Sequence, residues 1–133
     1  MNGVTHFELP ADNMDRAETF YKEAFGWETQ RWDNPEGVPY TMAMTTPTGQ
    51  DMRPTDRGKI NGAICQRNPM QAGPVLVLEV DKIEDALQKV KSAGGEPVFG
   101  PMPVSDMGVY GLFKDTEGNV VGLWQNLQSA CSG

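Results

Sequence analysis

Apolar positions recur at helical spacing in two segments of the chain. Within each segment these residues lie three or four positions apart, which predicts an amphipathic helix with one apolar stripe. Asp81 followed by Glu84 has the spacing of a capping box at the start of the second helix. Gly26 and Gly94–Gly95 predict where the two helices end. The stripe residues are Met14, Ala17, Tyr21, Ala24 and Phe25 in the first segment and Ile83, Ala86, Leu87 and Val90 in the second.

Extended stretches surround each predicted helix. One stretch precedes the helix and three shorter ones follow it, separated by turns rich in Gly, Pro, Asn and Asp, such as Asn34–Gly37. Each half of the chain is therefore predicted to be a βαβββ module. The stretches are 5–9, 27–32, 38–46 and 60–66 in the first half, and 75–80, 96–99, 109–114 and 119–125 in the second.

The two halves also match in sequence position. Asp12 and Asp81, Ala17 and Ala86, and Gly26 and Gly95 are each 69 residues apart. A constant offset across a whole helix indicates two copies of one supersecondary unit. We expect an α+β fold over residues 1–133 as a single domain, with modules at 3–68 and 74–127. The two modules would form a cup-shaped mixed sheet with the helices outside.

Composition excludes several classes of protein. The chain of 133 residues carries a net charge of −7, which disfavours nucleic acid and anionic membranes as partners. Cys65 and Cys131 form neither a disulfide framework nor a metal-binding pair, and two reduced thiols are typical of the cytoplasm. The first ten residues lack the pattern of a secretory signal. We therefore expect a cytoplasmic protein whose partners are neither nucleic acid nor membrane.

Several motifs resemble those of the vicinal oxygen chelate superfamily, which contains glyoxalase I, extradiol dioxygenases, methylmalonyl-CoA epimerase and the bleomycin and fosfomycin resistance proteins. The resemblance covers about residues 3 to 127, and it implies the paired βαβββ fold and a homodimer. It does not define a reaction, because one scaffold supports many chemistries. The motifs are Val4–Leu9, Asp12–Ala17, Phe20–Tyr21, Phe25–Trp27, Val80–Asp81, Gly94–Gly95, Phe113–Asp115, Glu117–Asn119 and Gly122–Trp124.

The resemblance also implies positions for a divalent metal. Metal-dependent members hold the metal with four ligands. Each module supplies one, usually His, from its first strand and one, usually Glu, from its last strand. His6 matches one such position, whereas the aligned positions Val75, Gly62 and Gly122 have no donor atom. We therefore expect no cofactor, with His6 as the one retained family ligand position. The alternative is a metal held by a displaced cluster of His6, Glu8 and Glu79.

His6 and Glu8 are the candidate catalytic or polar-contact residues, because residues two apart on a strand share a face. Alternatively, His6 only packs or bonds to backbone, and Glu8 pairs with Arg53 or Arg67. The candidate ligand-binding wall consists of Tyr40, Met42, Tyr110, Leu112 and Trp124. These side chains could instead fill the cup themselves or meet a second subunit. Cys65 alternates with Ile64 and is expected on the helix side.

Three functions remain open from the sequence. The leading hypothesis is a glyoxalase/bleomycin-resistance-like protein that binds a small, partly aromatic molecule in the cup without the usual metal constellation. The alternative is a metal-dependent isomerase, lyase or dioxygenase of the same superfamily. A second alternative is a protein-interaction module with a closed cup.

Overall fold

The computed structural model of the chain describes residues 1–32, 40–51 and 53–127. The predicted turn Asn34–Gly37, the first two residues of the predicted stretch 38–46, and Cys131 lie outside the described residues. The elements in chain order are β1 (Val4–Ala11), α1 (Met14–Phe25), β2 (Glu28–Trp32), β3 (Tyr40–Met44), β4 (Asn61–Gln66), β5 (Val75–Glu79), α2 (Ile83–Ser92), β6 (Glu96–Val104), β7 (Gly108–Lys114) and β8 (Val120–Asn126).

The chain divides into two compact units. The first unit is Thr5–Pro74, and the second unit consists of Met1–Val4 together with the chain from Val75 onward. Met1–Val4 belongs to the second unit in part because the Glu79 backbone N–H donates a hydrogen bond to the Gly3 carbonyl, at 3.2 Å.

Both units contain the same arrangement of strands. The order is β2-β3-β4-β1 in the first unit and β5-β8-β7-β6 in the second. In each, the first strand pairs in parallel with the last strand, and the other pairs are antiparallel. Every βαβββ element predicted from the sequence is present, so the α+β class and the repeated module are confirmed.

Helix α1 packs its apolar stripe on the first unit's strands. Met14 is buried against Ala11 and Ile64, and Ala17 and Tyr21 pack at the edge of this cluster. Phe25, which the periodicity placed on the same stripe, is 66% exposed. The stripe is therefore narrower than predicted and ends near Tyr21.

Helix α2 buries a larger apolar set in the second unit. Ile83 and Leu87 lie 1% and 8% exposed in a cluster with Val80 and Leu123, and Ala86 packs against it. Neither helix, at 12 and 10 residues, is long enough to cross a membrane, and no helix among the described residues qualifies.

The two helices begin with different caps. Asn13 is the N-cap of α1, and its side chain accepts a hydrogen bond from the Arg16 backbone N–H. The predicted capping box at Asp81 is wrong, because the N-cap of α2 is Lys82 and it makes no side-chain capping bond. Instead, Gln125 Oε1 accepts from the Ile83 backbone N–H at 2.9 Å. A side chain from β8 therefore satisfies one free N–H group at the start of α2.

Candidate functional site

The strand register assigns each side chain of the first unit to one face of its strands, because directly paired residues project on the same side. His6 pairs with Asn61, Glu8 with Ala63, and Ala63 with Met42, so these residues share the face turned away from α1. Tyr40 and Cys65 pair with each other and lie on the same face. We call this the distal face of the first unit; its residues are His6, Glu8, Tyr40, Met42, Asn61, Ala63 and Cys65.

Two of the sequence assignments in β4 are wrong by one residue. Cys65 lies on the distal face and not on the helix side, since it is its neighbour Ile64 that packs against α1. Gly62 lies on the helix side, where a Cβ atom would come within 2.5 Å of the Phe7 ring. Ala63 therefore occupies the position across from Glu8 that corresponds to Gly122 in the second unit. Like Gly62, Ala63 has no donor atom.

His6 is held by a hydrogen bond to a tyrosine from another strand. Its Nε2 lies 3.2 Å from the Tyr40 hydroxyl, although the two residues are 34 positions apart in the chain. Burial lowers the pKa of His6 from 6.5 to about 4. At neutral pH the imidazole is therefore uncharged, and it can both donate and accept a hydrogen bond.

Glu8 is a buried carboxylate, 3% exposed, on the same strand as His6. The Gln71 side-chain amide donates to Glu8 Oε1 at 2.6 Å. Sequence reasoning missed Gln71, which lies in the segment expected to link the modules and has no pattern that marks it. Arg67, one of the two partners suggested for Glu8, donates instead to Asp12 at 2.9 Å.

Burial and the Glu8 carboxylate keep the other ionisable groups of this face neutral. Burial first, and then Glu8, raises the pKa of the Cys65 thiol to about 12. Burial, Glu8 and Cys65, in that order, raise the pKa of Tyr40 well above its usual value of 10. A protonated thiol is a poor nucleophile, so this face is suited to hydrogen bonding rather than to covalent chemistry.

Asn61 is committed to the adjacent loop. Its Oδ1 accepts from the Thr45 backbone N–H at 3.0 Å, and its Nδ2 donates to Thr48 Oγ1 at 2.8 Å. Asn61 therefore fixes the chain that follows β3.

Most of the equivalent face of the second unit is apolar, but Glu79 shares this face because it pairs with Trp124. Val77 pairs with Gly122, Leu112 pairs with Gly122, and Tyr110 pairs with Trp124, all on the side away from α2. Val75, Val77 and Leu112 are each at most 2% exposed, and Phe99, Tyr110 and Trp124 pack against them as half-buried aromatic side chains. We call this the distal face of the second unit; its residues are Val75, Val77, Glu79, Phe99, Tyr110, Leu112, Gly122 and Trp124.

Leu112 therefore lies beneath the surface, and its predicted contact with a ligand stays a prediction. Phe99 joins the aromatic residues because it pairs with Leu112 and its ring lies 6.4 Å from that of Tyr110. The sequence placed Phe99 in a strand but did not indicate its face.

The family ligand positions do not supply a metal-binding donor set. Val75 is 2% exposed in an apolar cluster, and a Cβ atom on Gly122 would lie 3.0 Å from Val77 Cγ2. His6 Nε2 is already bonded to Tyr40. Within residues 1–32, 40–51 and 53–127 no group of three or more His, Cys, Asp or Glu could hold a metal ion. These residues do not fit a resident divalent metal, for which about three protein ligands are needed.

A separate shallow depression of about 550 Å³ lies along the outer side of α1. It contains none of the candidate site residues, and helix side chains form its lining. They are Asn13, Asp15, Arg16, Thr19, Phe20 and Glu23.

The family model of the Glyoxalase/Bleomycin resistance protein/Dioxygenase superfamily matches residues 3–123. The chain belongs to this superfamily.

Two curated members of the superfamily are similar in sequence. A "Glyoxylase-like domain-containing protein" of Didymella fabae is 26% identical over 117 residues, which cover 87% of this chain and 88% of that protein. "Putative glyoxylase CFP32" of Mycobacterium bovis is 29% identical over 129 residues, covering 89% of this chain. The match spans only 43% of the mycobacterial protein.

Solved structures show the same fold at low sequence identity. A hypothetical protein from Bacillus halodurans superposes with a TM-score of 0.68 at 14% identity, over 94% of each chain. Methylmalonyl-CoA epimerase from Mycobacterium tuberculosis superposes with a TM-score of 0.65 at 14% identity, over 98% of this chain and 92% of that one. At such identity the likeness concerns the fold alone.

Proposed function

We propose that this superfamily member binds a small, partly aromatic molecule and does so without the usual metal constellation. The observation that carries the proposal is the replacement of donor atoms at family ligand positions by packed apolar groups. A protein that keeps the fold but fills these positions keeps a scaffold that is better suited to recognition than to metal chemistry.

The distal face of the first unit offers polar groups for such recognition. His6, Tyr40 and the Glu8–Gln71 pair supply a few fixed hydrogen-bonding groups, and Met42 supplies adaptable apolar surface beside them. Small-molecule sites are typically apolar surfaces with a few polar groups that fix the orientation of the ligand.

The distal face of the second unit is a separate candidate surface, and it carries aromatic side chains. Phe99, Tyr110 and Trp124 are half-buried and pack against the buried side chains of that face. Aromatic rings pack favourably against planar ligands in offset or edge-on arrangements.

The competing function is a metal-dependent isomerase, lyase or dioxygenase of the same superfamily, two of whose similar proteins are named glyoxylase-like or putative glyoxylase. Metal titration separates the two functions. Protein stripped with a chelator would be dialysed against Zn²⁺, Ni²⁺ or Mn²⁺ and its bound metal measured, with His6→Ala as the control. We expect less than one tightly bound ion per chain and no difference between the proteins. Stoichiometric, His6-dependent metal would overturn the proposal.

Ligand binding is tested by a thermal-shift screen of small aromatic molecules. A ligand at 100-fold excess over its Kd stabilises the folded protein by about 2.7 kcal/mol, which is easily measured. Trp124→Leu should weaken a hit, whereas Phe20→Leu should not, because Phe20 is 55% exposed and lies on α1. A screen without hits, or hits that both variants bind equally well, would contradict the proposal.

A further inference from the structure

The hydrogen bond between His6 and Tyr40 can run in either direction, and the surroundings of the Tyr40 hydroxyl favour one of them. The Tyr40 hydroxyl has one hydrogen-bond partner in the described part of the chain, His6 Nε2 at 3.2 Å. If Nε2 carried the imidazole proton and donated to Tyr40, the phenolic O–H would have no acceptor there. An unsatisfied buried donor costs more than a hydrogen bond contributes, so the hydroxyl is the donor and Nε2 the acceptor.

The direction of this bond decides where the other proton of the ring lies. A neutral imidazole has one N–H, and with Nε2 accepting from Tyr40 that N–H is at Nδ1. No described residue hydrogen bonds to Nδ1. Because every buried side-chain nitrogen and oxygen atom in the described residues has a partner, Nδ1 is accessible from solvent.

We infer that Tyr40 is a positioning residue that fixes the Nδ1–H tautomer of His6, and that this N–H receives an uncharged hydrogen-bond acceptor on an aromatic ligand. The tautomer stands on the geometry alone. The ligand class rests on the proposed function, because it assumes that the distal face of the first unit binds a small molecule.

The surroundings of His6 favour an uncharged acceptor over an anion. Glu8 lies two residues further along β1, on the same face, and is 3% exposed. An anionic ligand bonded to Nδ1–H would share this face with the Glu8 carboxylate, and the like charges disfavour it. An ammonium or metal centre, in contrast, has no lone pair with which to accept the N–H.

The tautomer can be measured directly because His6 is the one histidine of the chain. Long-range ¹H–¹⁵N correlation NMR at pH 7 distinguishes a protonated ring nitrogen from an unprotonated one. We expect wild-type protein to show a single tautomer protonated at Nδ1. Tyr40→Phe should shift the population towards the Nε2–H form, and the matched control Tyr21→Phe, on the helix side of the first unit, should leave it unchanged.

Two results would overturn the positioning role. One is a wild-type spectrum with the proton at Nε2, and the other is a folded Tyr40→Phe protein whose tautomer is unchanged. The wild-type spectrum decides the tautomer even if Tyr40→Phe fails to fold.

Three probes of similar shape test the ligand class: acetophenone, α-methylstyrene, which replaces the carbonyl by a CH₂ group, and benzoate, which is anionic. We expect acetophenone to bind about 3- to 10-fold more tightly than α-methylstyrene, the factor typical of one hydrogen bond. Benzoate should bind most weakly, and Tyr40→Phe should reduce the preference for acetophenone. Equal binding of the two neutral probes, or tightest binding of benzoate, would overturn the ligand class. No binding of any probe to a protein with the expected tautomer would reject both the ligand class and small-molecule binding at this face, while the positioning role would stand.

Discussion

The two units share a strand order but differ in the chemistry of their distal faces. In the first unit that face holds a histidine, a tyrosine, a thiol and a buried carboxylate with an amide partner. In the second unit Val75 and Val77 take the positions of His6 and Glu8, whereas Tyr110 and Trp124 take those of Tyr40 and Cys65. The helix sides remain alike, since each helix buries an apolar stripe on its strands. The comparison teaches that packing against the helix preserves the module, whereas the opposite face is free to change its chemistry.

The strongest test of this comparison places the family carboxylate back into the apolar face. We expect Gly122→Glu to destabilise the protein by more than about 3 kcal/mol, because overpacking and burial of an unpaired charge both add to the cost. A Cβ atom there already lies 3.0 Å from Val77 Cγ2 and 3.5 Å from Val75 Cγ1. Urea unfolding measures the change. Gly3→Glu, where a Cβ atom meets nothing within 4 Å, is the control and should change stability by less than about 0.5 kcal/mol. A Gly122→Glu protein as stable as this control would show that the face is not closely packed.

The pH dependence of the free energy of unfolding tests the polar face of the first unit. The pKa of His6 is about 4 in the folded protein and 6.5 unperturbed. Because the folded value is the lower one, the neutral imidazole contributes its full share of stability above pH 6.5. This contribution declines as the pH falls from 6.5 to about 4. The decline is up to about 1.4 kcal/mol per pH unit, or about 3 kcal/mol in all.

Unfolding free energies of wild type and His6→Gln at several pH values measure this effect. As the pH falls from 6.5 to 4, the wild type should lose more unfolding free energy than His6→Gln. The other titrating groups are present in both proteins and cancel in the difference. Parallel curves would mean that His6 is as easily protonated in the folded protein as in the unfolded chain.

The smallest expected effects concern the caps that start the two helices. Asn13→Ala and Gln125→Ala should each cost about 0.5–2 kcal/mol, because each removes a side-chain acceptor from a helix N-terminus. Asp81→Ala should cost less than about 0.5 kcal/mol, since Asp81 is not the N-cap of α2. Thermal unfolding of the three variants is sufficient. A larger loss of stability in Asp81→Ala than in Gln125→Ala would show that the local capping box is correct after all.

The caps also illustrate how far local sequence determines this fold. Periodicity in α1 and α2 and the turns between strands predicted the elements, because these signals lie within a few residues of the structure they form. Gln125 lies 42 positions from Ile83, and Tyr40 lies 34 from His6. No short-range pattern marks either pair, so the cap and the central hydrogen bond of the candidate site could be found only in the fold.

The one-residue error in β4 has a different physical origin. Asn61 to Cys65 are all buried, so this strand shows no alternation between an exposed and a buried face. Without alternation the sequence does not indicate which residues face the helix, and a shift of one residue exchanges the two faces. That is why Gly62 and Cys65 were each assigned to the wrong side.

Because Met1–Val4 belongs to the second unit, that unit is assembled from two parts of the chain that are synthesised at different times. The Gly3 carbonyl accepts a hydrogen bond from Glu79, so residues that leave the ribosome early find their partner only after the whole first unit has been made. A fragment that begins at Val75 would lack this acceptor for the Glu79 N–H. A cut at Pro74 therefore removes from the second unit a segment that belongs to it, and circular permutation that joins Met1–Val4 to this unit would restore the segment.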